Sequence, residues 1–93
     1  MNTVKLMLGK KIKAIRLGEG LTGKEFAQIL EISIDSLKNY ETERRTISEQ
    51  NLLKITNHPR FKKYSLWLMT DQTAPEIGQV SPDIETEGSR ATG

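Results

Sequence analysis

Gly18, Gly20 and Gly23 fall in the spacing G-x-G-x-x-G, the pattern whose backbone cradles a dinucleotide pyrophosphate at a helix N-terminus. That chemistry needs a β-strand leading into the glycines. Instead Val4, Leu8, Ile12 and Ile15 recur every three or four residues, one apolar stripe of a helix with Lys10, Lys11, Lys13 and Arg16 on its other faces. Gly18 and Gly20 therefore mark a helix C-terminus, where glycine accepts a left-handed backbone without steric cost. No other reaction chemistry is visible. The 93 residues hold no cysteine and one histidine, which removes disulfides, thiolate zinc sites and Cys-His nucleophiles. His58 precedes Pro59 and reads as a turn residue. With no nucleophile-base pair and no paired carboxylates, the expectation is a non-enzyme with no catalytic residue, no metal, no cofactor and no small-molecule substrate.

The elements that follow announce themselves by their caps. Thr22-Gly23-Lys24-Glu25 fits a capping box, and Phe26, Ala27 and Leu30 form the inner face of the helix it opens. Ser33 caps the next helix, with Asp35 in the first turn where the helix dipole favours negative charge. Leu37 and Tyr40 point inward from it, Tyr40 with its hydroxyl near the backbone. So tight a connection forces the two helices to cross steeply, the helix-turn-helix arrangement. Ser48 opens a fourth helix whose Leu52, Leu53 and Ile55 add to the core. Pro59 suits the first turn of a fifth, over Arg60 to Met69. Residues 74–82 are broken by proline and glycine but allow a short strand around Ile77 to Val80. Beyond Pro82 apolar residues almost vanish, and a disordered tail over 83–93 is expected.

A chain of this length forms one domain, and a core this small gains from oligomerisation. Phe61, Tyr64, Leu66, Trp67, Leu68 and Met69 cover more of the fifth helix than one core-facing stripe would. The expected division is therefore 1–73 as the main domain, 74–82 as a dimerisation extension and 83–93 as the tail. The expected homodimer interface is Phe61, Tyr64, Trp67, Leu68, Ile77 and Val80. Residues 1–73 hold 13 Lys and Arg against 8 Asp and Glu, a net +5, whereas residues 74–93 hold 1 against 4, a net −3. A basic body permits a polyanionic partner without requiring one. No segment approaches the roughly 18 apolar residues of a membrane span, and the N-terminus lacks the small-residue cleavage site of a signal peptide. A cytoplasmic protein with no membrane partner is expected.

From Leu8 to Ile55 the chain resembles the lambda-repressor/Cro type of helix-turn-helix domain (XRE-like). The match is gapless and rests on Leu21-Thr22, Glu25-Phe26-Ala27, Leu30, Ile32-Ser33, Leu37 and Tyr40-Glu41. The fifth helix and the stretch WLMTDQTAPEIGQVSP resemble the C-terminal part of the short immunity repressors of temperate phages, the P-two type. The resemblance implies an all-α, five-helix DNA-binding domain plus the short C-terminal extension. It implies a dimer whose third helix enters the major groove of a double-stranded DNA operator, and the function of a phage or prophage transcriptional repressor in a bacterial host cell. Two departures stand out. Gly23 replaces a frequent glutamine that touches the DNA backbone, and Glu31 replaces a frequent turn glycine at a cost of roughly 1 kcal/mol.

Carried over position by position, the resemblance places Ile34, Asp35, Ser36, Lys38 and Asn39 against base edges. Their chemistry is apt: Asn39 can pair with adenine N6 and N7, Lys38 can donate to guanine, Ile34 can pack on a thymine methyl, and Asp35 can accept from cytosine N4. Alternatively these are ordinary solvated residues, with Ile34 a staple onto the core. Thr22, Gly23 and Lys24 at the second helix's start, and Arg44 and Arg45 after the third, suit phosphate contacts. The rival function is a protein-interaction module, an adaptor or antitoxin, that uses the helix-turn-helix as scaffold.

Overall fold

A computed structural model describes residues 8–82. It contains five α-helices: α1 Leu8–Gly18, α2 Gly23–Leu30, α3 Ile34–Glu41, α4 Glu49–Thr56 and α5 Ser65–Thr70. Val4 and the tail after Pro82 lie outside the described residues. Each of α2, α3 and α4 starts where its cap was expected. Thr22 accepts from the Glu25 N–H at 3.1 Å while the Glu25 carboxylate accepts from the Thr22 N–H at 2.9 Å, both arms of the capping box. Ser33 and Ser48 cap through the N–H groups of Ser36 and Asn51, at 3.0 and 3.1 Å. Glu31 does adopt the left-handed conformation, φ 61°, ending α2 so that the cap of α3, Ser33, follows two residues later.

The core gathers one face from every helix. Ile12 and Ile15 of α1, Phe26, Ala27 and Leu30 of α2, and Leu37 and Tyr40 of α3 are all buried. Phe26 meets Phe61 edge-on, ring centroids 5.0 Å apart, which ties the helix-turn-helix to the C-terminal half. Leu53 does not join them: it is 48% exposed, and Ile55 is the buried residue of α4.

The C-terminal third differs most from expectation. Only Ser65–Thr70 is α-helical; Lys62–Tyr64 before it is a 3-10 turn, because the chain first folds over His58, whose Nδ1 accepts from the Arg60 N–H at 3.0 Å. No strand forms among the described residues. Pro75–Ile77 is a 3-10 turn ended by left-handed Gly78, closed by an isolated bridge between Ala74 and Gln79. This loop is clasped to its own chain. The Gln79 amide accepts from the Leu66 N–H at 2.9 Å and donates to the Lys62 carbonyl at 3.1 Å, and the Val80 N–H donates to the Lys63 carbonyl at 2.8 Å. Those three bonds satisfy backbone groups at the start of α5 that a free extension would leave to water.

Candidate nucleic-acid interface

What holds α3 in place decides what it can touch. Behind it α1 passes so close that a Cβ on Gly9 would stand 2.1 Å from the Tyr40 carbonyl oxygen. Only glycine fits there. At its C-terminal end Arg16 grips Glu41 through two parallel hydrogen bonds, 2.9 and 3.0 Å, and donates a third at 3.1 Å to the Leu21 carbonyl. This one guanidinium joins α1, the turn before α2 and the end of α3 with little exposure to solvent. The Tyr40 hydroxyl, expected near the backbone, has a side-chain partner. It accepts from the Asn51 amide at 2.8 Å, which fixes α4 to α3.

With its back so fastened, α3 turns its polar flank outward. Asp35 and Lys38 are exposed, and Ser36 and Asn39 are half-buried. Ile34 is partly buried and packs against the core, its Cδ1 3.4 Å from where a Gly23 Cβ would be. Ile34 at the start of α3 thus lies beside Gly23 at the start of α2. Past the other end, left-handed Glu43 (φ 64°) folds the chain back, and the Arg44 and Arg45 N–H groups donate to the Asn39 carbonyl at 2.9 and 3.1 Å. The two exposed arginines are thereby anchored to the residue most apt for adenine.

Two tight charge clusters lie elsewhere in the domain. Away from α3, Glu19 takes hydrogen bonds from Tyr64 (2.5 Å), Arg60 (2.7 Å) and Lys63 (3.2 Å). Burial alone would raise its pKa, but these donors overcome that and hold it below the ordinary carboxylate value. Lys11, expected on a solvated face, is buried; its ammonium meets the Trp67 and Leu68 carbonyls at 3.2 Å each and Asp71 at 2.5 Å, closing the C-terminus of α5. On the α3 side, by contrast, the side chains of Lys24, Asp35, Lys38, Asn39, Arg44 and Arg45 have no hydrogen bond or ion pair among the described residues. Their donors and acceptors remain available.

The residues expected at a subunit interface differ in burial within the single chain. Phe61 is fully buried, and Tyr64 and Leu68 are nearly so, within a single chain. They fill the domain's own core, since α5 is covered both by α1 and by the loop after it. Trp67 and Val80 are half-buried, while Ile77 is 71% exposed. Near the end of the described chain, Leu66, Met69 and Ile77 form an open apolar groove.

Two short helices joined by a left-handed turn, the second presenting an unpaired polar flank, define a helix-turn-helix protein. Residues 12–60 match the helix-turn-helix family model, and the chain belongs to that family. It is similar to Repressor protein C of Escherichia phage P2, 34% identical over 85 residues that span 91% of this chain and 86% of that one. It is also similar to the HTH-type transcriptional regulator ImmR of Bacillus subtilis (strain 168), 40% identical over 52 residues, 56% of this chain and 41% of that protein.

Proposed function

We propose that the protein is a sequence-specific transcriptional repressor that binds a double-stranded DNA operator with α3 in the major groove. The observation that carries this reading is that α3 is fastened from behind by Gly9, the Arg16–Glu41 pair and the Tyr40–Asn51 bond, while the outward side chains of Lys38, Asn39, Arg44 and Arg45 have no partner among the described residues. A groove edge supplies the missing partners. Asn39, Lys38, Ser36 and Asp35 read bases, Ile34 presents its exposed part to a thymine methyl, and Thr22, Gly23, Lys24, Arg44 and Arg45 hold phosphates. The similarity to Repressor protein C over most of both chains supports repression as the outcome. No described helix is long and apolar enough to cross a membrane, in keeping with work in the cytoplasm of a bacterial host. Binding is the whole mechanism, with no chemical step.

The repressor acts as a homodimer whose subunits meet through the groove of Leu66, Met69 and Ile77. Pairing two domains lets two α3 helices reach half-sites roughly 34 Å apart, or a multiple of that. Ile77→Asp lies on an exposed side chain, so it leaves the fold intact while shifting the mass in sedimentation toward monomer. An unchanged mass contradicts this interface. Selection of bound sequences from random duplexes tests the main reading. A recurring half-site present twice at about one helical turn, or a multiple, supports it; retention without any shared sequence refutes it.

A further inference from the structure

The turn after α3 carries an unexplained carboxylate. Glu43 occupies a left-handed backbone conformation, φ 64°, that glycine or asparagine would adopt with less strain. Its side chain folds back over Gly9, where a Cβ would meet Glu43 Cγ at 2.8 Å, so the missing side chain of Gly9 makes the room it uses. There Glu43 Oε2 is buried with no hydrogen-bond partner among the described residues. A buried carboxylate oxygen without a donor is costly, and native proteins rarely keep one for nothing. Strain at the backbone and an unmet acceptor at the tip of the same residue point to a site.

Glu43 also lines a cavity of about 260 Å³ between the start of α1 and the turn after α3. Leu8, Ile12 and Ile47 supply apolar wall, Tyr40 and Glu43 a polar side, and Arg45 part of the rim. Arg44 and Arg45 are the nearest cations in sequence, yet neither makes an ion pair with Glu43. The Glu43 carboxylate thus has no counter-ion from the described residues. We propose that this cavity binds a small organic cation, an ammonium or guanidinium carried on a short apolar body, with Glu43 as its counter-ion. The head group pairs with the Glu43 carboxylate and the apolar part covers Leu8, Ile12 and Ile47. Anions are disfavoured by the carboxylate, and a neutral chain leaves it without a counter-ion.

The test uses the full chain and needs no DNA, so its failure is distinct from failure of the operator reading. Thermal unfolding is followed with n-hexylammonium, n-hexanol and hexanoate, three probes with one apolar body and different charge. Hexylammonium alone is expected to raise Tm saturably, by about 6–11 °C at ten times its Kd. Amide chemical-shift changes should concentrate at Gly9, Glu43 and Thr46. Glu43→Gln, which keeps the shape, should abolish the response. An equal effect from hexanol, a full response in Glu43→Gln, no saturable shift, or amide changes scattered elsewhere each overturns the proposal. The shift mapping on the unaltered chain decides the matter even if that variant folds poorly.

Discussion

Replacing Gly9 by alanine adds one methyl group, and the structure says where it goes. Its carbon would lie 2.1 Å from the Tyr40 carbonyl oxygen, 3.2 Å from the carbonyl carbon and 2.8 Å from Glu43 Cγ. Ordinary C···O contacts are about 3.3–3.6 Å, so the overlap with the oxygen exceeds about 1 Å. That oxygen cannot step aside, because it accepts from the Glu43 N–H at 3.0 Å and belongs to the backbone of α3. Relief requires α1 and α3 to separate, opening the contacts of Ile12 beneath them. Overpacking of this kind costs about 1–3 kcal/mol, and alanine's better helix propensity returns less than about 1 kcal/mol near a helix start. We expect a net loss of about 2 kcal/mol, which for a domain of this size lowers Tm by about 8–16 °C. Urea and thermal unfolding followed by circular dichroism measure it. Gly23→Ala is the control, since its Cβ meets only Ile34 Cδ1 at 3.4 Å, an ordinary contact. If Gly9→Ala unfolds at the wild-type temperature, or no lower than Gly23→Ala, the claim that α1 buttresses α3 through this contact is wrong.

Two further outcomes follow from the ion pairs. Arg16→Met strands the Glu41 carboxylate with little access to water and should cost about 3–5 kcal/mol, whereas adding Glu41→Gln should recover a large part of it; a double-mutant cycle on unfolding free energies checks this. Glu19 is held below the usual carboxylate pKa, so its contribution is full above the ordinary value of 4.5 and fades as pH falls through the depressed folded value. Glu19→Gln should therefore be less stable than wild type at neutral pH and show a flatter acid limb below it; parallel limbs in a pH series of denaturation curves would count against the Tyr64, Arg60 and Lys63 cluster.

Local features were the ones the sequence disclosed. Thr22, Ser33 and Ser48 are visible because a cap and the residue it bonds lie three positions apart, whereas the left-handed Glu31 was legible only through the resemblance, where a turn glycine is frequent. What joins distant segments was hidden. Nothing in the neighbourhood of Gly9 says that Tyr40 will approach it, and Lys11 looks like a solvated lysine until the end of α5 arrives over it. The count of apolar residues on the fifth helix was right in showing that two sides need cover. It could not say that the chain's own loop, clasped by Gln79, provides part of that cover and leaves Phe61, Tyr64 and Leu68 inside. The strand around Ile77 to Val80 failed for a local reason: Pro75 opens a 3-10 turn and left-handed Gly78 ends it. On α3 the inward residues followed from spacing, while the roles of its outward residues rest on the resemblance and on the open donors seen in the structure.

The central claim is that Asn39 reads a base while Arg44 holds the backbone. Fluorescence anisotropy titrations of wild type, Asn39→Ala and Arg44→Ala against a selected duplex and a scrambled one, at several salt concentrations, test it directly. Asn39→Ala should lose about 1–3 kcal/mol on the selected duplex and almost nothing on the scrambled one. Arg44→Ala should weaken both alike and reduce the salt slope by about 1. Equal losses on both duplexes for Asn39→Ala, or no binding by wild type at low salt, would contradict the account.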